Sequence, residues 1–211
     1  MVDYGRVKKT LIIKLAVGTV AIGVFAVLFM RSVEDTRTEA YTVPRAHLQG
    51  WTLELEAAAT PADPLLVLRA PADLATGLFK QIFARAMESL NTPISTAIPI
   101  VLRAEFDRDI GDQFTADALL AAAKAAGLEN SAASPRCLVH RRISGPGGVR
   151  QAYLVFFDAP SIVQFRKQIG VDADALSPIL FVAGAGADFN TWLPLRIDAA
   201  ADCLAPIEIA P

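Results

Sequence analysis

The most apolar stretch in the chain stands almost at its start, Leu11 to Met30, LIIKLAVGTVAIGVFAVLFM. About 20 residues at ~1.5 Å rise each cross the hydrocarbon core of a bilayer. Its single charge, Lys14, lies one turn inside, where a long stem can snorkel to the headgroups. The pattern predicts a cytoplasmic tail over 1–10 and a transmembrane anchor over 11–30. A cleaved signal peptide would carry a shorter apolar region, ~7–15 residues, ending at a small-x-small site. This run ends FMRSVEDT, without such a site, so an uncleaved anchor is expected.

Ala16, Thr19, Gly23 and Ala26 recur at spacings of 3, 4 and 3, which puts four small residues on one helical face. Helices in lipid associate by close backbone approach over such faces, because burying more apolar surface there gains little. These four are the expected helix-packing face.

Residues 31–49 are polar and charged, carry Pro44 and show no period. They read as a linker arm. From Gly50 the pattern becomes mixed. Trp51–Ala57 alternates as a half-buried strand, and Leu65–Arg69 is a short apolar strand. Asp73 is placed to cap a helix running to about Leu90, and a strand follows over Ile98–Phe106. Thr115 caps a further helix that stops at Gly127, with Leu128 set to contact it. Cys137–Ile143 and Ala152–Phe157 are strands around the turn SGPGG. Ser161 and Gln164 suit a capping box for a helix that Gly170 ends. Pro178–Ala183 is a buried strand; Trp192–Ile197 and Cys203–Ile209 are short strand candidates.

The two halves resemble each other. LVLRAPADLATGLFKQI in the first half reads like LVFFDAPSIVQFRKQI in the second. Each is a buried strand, an Ala-Pro exit and a helix, preceded by another strand and followed by an Ile-Pro-Ile or Ser-Pro-Ile strand. The expected fold is therefore an α+β external domain of two similar ββαβ units, 50–130 and 131–211, on a single N-terminal transmembrane helix.

Charge adds topology. Arg6, Lys8, Lys9 and Lys14 against Asp3 make the N-terminal flank +3, while after the span Arg31 and Arg37 are diluted by Glu34, Asp35 and Glu39. Basic flanks stay in the cytoplasm, so the N-terminus is expected inside and residues 31–211 outside, in the periplasm of a bacterial inner membrane. The external part holds 16 Lys and Arg against 21 Asp and Glu. That acidic balance without a basic cluster argues against nucleic acid. Cys137 and Cys203, the only cysteines, are both external and form a candidate disulfide.

The catalytic constellations considered are weak. Cys137 and His140 sit at i and i+3 of a strand, facing opposite sides, so they cannot share a metal. Gly184-Ala-Gly-Ala-Asp188 lacks the third glycine and long helix of a dinucleotide site. No G-x-S-x-G elbow occurs. Glu105, Asp107, Asp109 and Asp112 cluster after a strand and read as a solvated turn, with paired-carboxylate catalysis as the rival. His140, Arg141, Arg142 and Arg150 flank the Gly-rich turn as a basic tip.

The helix over 73–90 is apolar around more than half its circumference. It is either buried between layers or offers Leu78, Phe79, Phe83 and Met87 to a partner. No cofactor and no catalytic role are expected. The expected function is that of an accessory or scaffold subunit of a larger membrane complex, with a photosynthetic or respiratory one as a natural setting. Its partners would be other integral membrane subunits and the lipid bilayer. The alternatives are a pilus or secretion assembly-platform protein, or a periplasmic ligand-binding module or enzyme.

Overall fold

The structure, a computed structural model, describes residues 4–86, 88–93, 96–131, 133–145, 148–185 and 196–211. The chain divides into two units, Met1–Thr38 and Glu39–Pro211.

The first unit is a single helix, α1 (Tyr4–Thr38). From Val17 to Met30 its large apolar side chains stand in the open on all sides, with Ile22 72% and Phe25 69% exposed. Among the described residues it is the one helix long and apolar enough to cross a membrane, a property that an anchor and a signal sequence share. The helix does not stop at Met30. RSVEDTRT contains no Gly or Pro, and the hydroxyls of Thr36 and Thr38 donate to the carbonyls of Ser32 and Asp35, at 2.7 and 2.9 Å.

Residues 31–49, expected as a linker arm, are therefore ordered throughout. After helix to Thr38 comes β1 (Tyr41–Pro44) and a 3-10 turn (Arg45–Leu48). Tyr41 and Val43 are each 1% exposed, so β1 belongs to the core of the second unit. A four-residue strand paired at a sheet edge is too short to show a period in sequence, which is why it reads as linker.

The second unit holds two sheets. One has the order β2 (Thr52–Leu55), β3 (Pro64–Arg69), β4 (Ala97–Leu102), all antiparallel. The helix α2 (Ala72–Ala86) lies in sequence between β3 and β4. The other sheet is five-stranded. Its order is β1, β8 (Cys203–Ala210), β5 (Ser134–Gly145), β6 (Gly148–Asp158), β7 (Ile179–Ala185). All its neighbours are antiparallel except β1 and β8. The helix α5 (Pro160–Gln168) lies between β6 and β7. Within β2–β3–β4 and β5–β6–β7 the strand order, the strand directions and the place of the helix are the same.

Between the sheets in sequence come a short turn α3 (Arg103–Glu105), a π-turn (Phe106–Ile110) and α4 (Ala116–Ala125). The strand expected to reach Phe106 stops at Leu102. The chain turns there because the N–H groups of Arg103 and Ala104 donate back to Asp63 and Pro61, both at 2.9 Å. The Thr115 hydroxyl caps α4 by accepting from Ala118 N–H at 3.2 Å, and Gly127 ends that helix at φ 71° with Leu128 buried beneath it. Asp73 and Ser161, expected as helix caps, both lie inside first turns; Pro160 opens α5, where its missing N–H costs nothing. The helix expected to reach Leu90 is assigned to Ala86, and Met87 lies outside the described residues. Residues 192–195 of the Trp192–Ile197 strand candidate also lie outside them; Arg196 and Ile197 are not in a strand.

Residues of both halves share one core. Leu66, Leu68, Ile98 and Ile100 of the small sheet join Leu138, Tyr153, Val155, Phe157 and Leu180 of the large one, with α2, α4 and α5 packed around them. The opposite face of the large sheet has its own cluster of Cys137, Val139, Ala152, Leu154 and Ile179. That explains why β6 is apolar on both faces.

Open sheet edges invite unwanted strand pairing, and each edge here has at least one of its backbone groups taken. At β1, the Gln81 side chain imitates a strand: Thr42 N–H donates to its Oε1 at 3.0 Å and its Nε2 donates to Thr42 C=O at 2.8 Å. At β2, Leu53 N–H donates to Glu129 Oε1 at 2.8 Å. At β7, Asn91 and Gly184 exchange backbone hydrogen bonds of 2.8 and 2.9 Å. At β4, Leu102 N–H and Ile100 C=O are taken by Glu105 and Arg166.

Gly184 is required for close approach. A Cβ there would stand 2.8 Å from the Gln151 carbonyl oxygen and 2.8 Å from the Phe181 ring. Gly184→Ala is therefore expected to destabilise the domain by about 1–3 kcal/mol, the usual cost of overpacking. A urea titration of the full-length chain in detergent reads this directly, and an unchanged midpoint would contradict the close contact.

Candidate functional site

The polar groups singled out in the sequence fall into separate clusters, and most of them have structural partners. The acidic run after β4 is the clearest case. Glu105 turns inward and pairs with Arg166 of α5, with side chains only 6% and 1% exposed. The guanidinium holds both carboxylate oxygens, Nη2 to Oε1 at 2.6 Å and Nη1 to Oε2 at 3.0 Å. It also donates to the carbonyls of Ile100 and Asp172, each at 2.5 Å. Its Nε has no partner. Asp107 points outward to Arg103 at 2.9 Å, and Asp109 to Arg108 at 2.6 Å. The hydrogen bond from Arg108 holds the Asp109 carboxyl below the usual carboxylate range. Asp112 is exposed. Three of the four carboxylates close in sequence thus have different arginine partners, Glu105 inward and Asp107 and Asp109 at the surface, and the fourth, Asp112, is exposed.

His140 belongs to a second cluster at one end of the core. Its ring stacks on Tyr153, its cross-strand neighbour, with centroids 4.4 Å apart and planes 13° apart. Its Nε2 lies 3.4 Å from Gln151 Oε1, and Gln151 Nε2 donates to Glu88 Oε2 at 2.5 Å. An amide between a carboxylate and an imidazole orients both, but it does not pass a proton as a hydroxyl or water would. Cys137 projects to the opposite face of the sheet from His140. Among the described residues, no three His, Cys, Asp or Glu side chains are grouped to hold a metal. The expected basic tip is also divided: Arg141 pairs with Asp202 at 2.7 Å, while Arg142 is exposed.

Cys137 and Cys203 are disulfide-bonded, with Cα atoms 5.7 Å apart. Pairing across β5 and β8 brings them together. The Gly184–Asp188 motif is split: Gly184 and Ala185 end β7, and residues 186–188 lie outside the described residues.

The candidate partner face on α2 is mostly core. Leu78 is 1% exposed and Phe79 is half-buried against the core, whereas Phe83 is 51% exposed and packs on Phe79 at 5.8 Å. Met87 lies outside the described residues. The polar stripe of α2 has a use that the sequence did not suggest. Gln81 holds Thr42, and Arg85 donates to the carbonyls of Glu39 and Ala40 at 2.8 and 3.0 Å while lying over the Tyr41 ring at 4.2 Å. Together they fix residues 39–42, the segment that follows α1.

On α1, Thr19, Gly23 and Ala26 are exposed on one face; Ala16 lies one turn earlier, its side chain outside the described set. A Cβ added at Gly23 meets nothing within 4 Å. Val20, Gly23, Val24, Val27 and Leu28 line an apolar groove there. A second groove, of about 430 Å³, runs beside α5 between Phe156, Val163, Lys167 and Pro178.

No family model, curated protein or solved structure matches this chain.

Proposed function

We propose that this protein is an accessory or scaffold subunit of a larger membrane complex, held by α1 and acting by contact rather than by catalysis. The observation that carries this reading is α1 itself, an apolar helix whose side chains are exposed all round and which needs lipid or partner helices to cover it. The +3 flank before the apolar run supports an N-terminus in the cytoplasm and a periplasmic domain. Gly23 stands between a groove lined by Val20, Val24, Val27 and Leu28 and the small side chains of Thr19 and Ala26 on its other side, and this low relief suits close approach of another helix. The capped sheet edges direct partner contacts away from strand addition, leaving the helix face and side-chain surfaces such as Phe83.

The shared order and direction of β2–β3–β4 and β5–β6–β7, with a helix before the last strand of each, supports reading the domain as a duplicated ββαβ unit. The bioenergetic setting remains a proposal from architecture. The test is purification of the full-length chain from its native membrane in mild detergent, with the accompanying chains identified. A stable set of integral membrane subunits supports the reading. A chain that purifies alone, and turns over or binds a small molecule, brings forward a ligand-binding module or enzyme, for which the groove beside α5 is the place to look. A phosphatase reporter fused after Pro211 is expected to be active in the periplasm; activity of a cytoplasmic reporter instead would reverse the orientation.

A further inference from the structure

We propose that the Cys137–Cys203 disulfide is a redox-sensitive latch on the strand pair β1–β8, and that its reduction frees the segment following α1 as a leash. The inference begins with how β1 is held. β1 joins the large sheet through β8 alone, with Tyr41 to Pro44 opposite Ile207 to Ala210. Those are the last residues of β8, beyond its contact with β5. The first half of β8 faces β5 only at Cys137, Leu138 and Val139, with a register shift between the last two. The neighbouring β5–β6 pairing, by contrast, runs from Ser134 to Gly145. The sheet's grip on β1 therefore passes through one short, irregular stretch of ladder, and the disulfide is placed in that stretch.

The two cysteines differ in burial. Cys137 is 3% exposed within the second apolar cluster, while Cys203 is half-buried at the first position of β8, just after α6 (Ala199–Asp202), of which Ala200 and Ala201 are exposed. Cys203, the less buried of the two, is the side for attack: a thiolate of a thioredoxin-type dithiol would form a mixed disulfide at Cys203 Sγ as the Cys203–Cys137 bond breaks and Cys137 leaves as thiolate. The second thiol of the reductant then attacks the mixed disulfide and releases Cys203. The reductant becomes a disulfide, its two electrons pass to the cysteine pair, and two protons complete the thiols.

What remains on β1 is the clip from α2, Gln81 on Thr42 and Arg85 on Glu39 and Ala40, together with the burial of Tyr41 and Val43. The next residue fixed elsewhere is Leu48, which packs against the core and whose carbonyl accepts from the indole N–H of buried Trp51 at 2.9 Å. Release of β1 would thus free residues 39–47, which extend to about 30 Å. A tether that is a strand in the oxidised domain becomes a flexible arm in the reduced one. That the arm leads to a membrane rests on the reading above; the latch itself does not.

Hydrogen exchange on the full-length chain in detergent tests the latch, comparing the oxidised protein with protein treated with dithiothreitol and with the Cys137→Ser/Cys203→Ser variant. Peptides covering 41–44 and 203–210 are expected to lose protection by about tenfold or more, while those covering 150–158 and 179–185 keep theirs within about threefold. An equal loss in all four regions makes the bond a global staple only and overturns the latch, as does no change in any. An intact mass that does not shift on reduction also overturns it, because no bond was present. Carbonate extraction of the membranes reads the anchor separately: a chain released by carbonate fails the anchor reading, and the exchange pattern still decides the latch.

Discussion

Arg166→Ala is expected to lower the stability of the domain by about 3–5 kcal/mol, because it leaves the Glu105 carboxylate buried with its counter-charge gone. The Arg166 and Glu105 side chains are 1% and 6% exposed and meet through two parallel hydrogen bonds. At this domain size such a loss corresponds to a fall in Tm of about 6–20 °C. The site also predicts how the damage can be repaired. Arg166→Met combined with Glu105→Leu removes both charges, so most of the loss should return, since replacing a buried ion pair by apolar groups is often close to neutral. Recovery should stop short of wild type by about 1–3 kcal/mol, because Leu102 N–H and Ile100 C=O at the edge of β4 lose their caps. Thermal melts of the full-length chain in detergent measure all three proteins. A single-variant loss below about 1 kcal/mol would mean that the pair is solvated in solution.

That ion pair also shows where the sequence was legible and where it was not. The apolar run of α1, the strands β3, β5, β6 and β7, and the cap and stop of α4 all follow from local rules, namely period, hydroxyl caps and left-handed glycines. Arg166 did leave a trace. It sits four residues after Ile162 and three before Ile169, on the inward face of α5, where the period calls for an apolar side chain. Its partner left none, because the strand expected to run to Phe106 placed Glu105 in regular extended chain. The turn at Arg103 is made by Pro61 and Asp63, about forty positions earlier in sequence, and no local pattern reports that. The same holds for β1: YTVP alternates apolar and polar, but over only four residues, and it is held as a strand by residues 207–210 beside it and by Gln81 on its far edge. The greasiness of α2 was visible, and its cause is mostly packing. Leu74, Leu78 and Ile82 enter a core shared by both halves, which leaves Phe83 as the exposed side chain among the described candidates Leu78, Phe79 and Phe83.

Gly23→Leu is expected to reduce co-purification of partner membrane subunits by at least about tenfold, roughly 1.4 kcal/mol, while the domain's melting temperature stays unchanged. The structural basis is that the site is open within the chain: a Cβ at Gly23 meets nothing within 4 Å, so leucine causes no clash of its own. Leucine is also more apolar and a better helix former than glycine, so insertion into a bilayer is preserved or improved. What it removes is space. Two helix backbones come close where small side chains face each other, and a leucine in the groove bordered by Val20, Val24 and Val27 holds a neighbour away. Phe25→Leu provides the control. Phe25 is 69% exposed and stands two positions on, about 200° around the helix from Gly23, so the change alters apolar bulk on another face. If Phe25→Leu weakened co-purification as much as Gly23→Leu, the loss would reflect general lipid exposure rather than a packing face. If Gly23→Leu had no effect, contacts of the domain, with Phe83 the first to substitute, would have to carry the assembly instead.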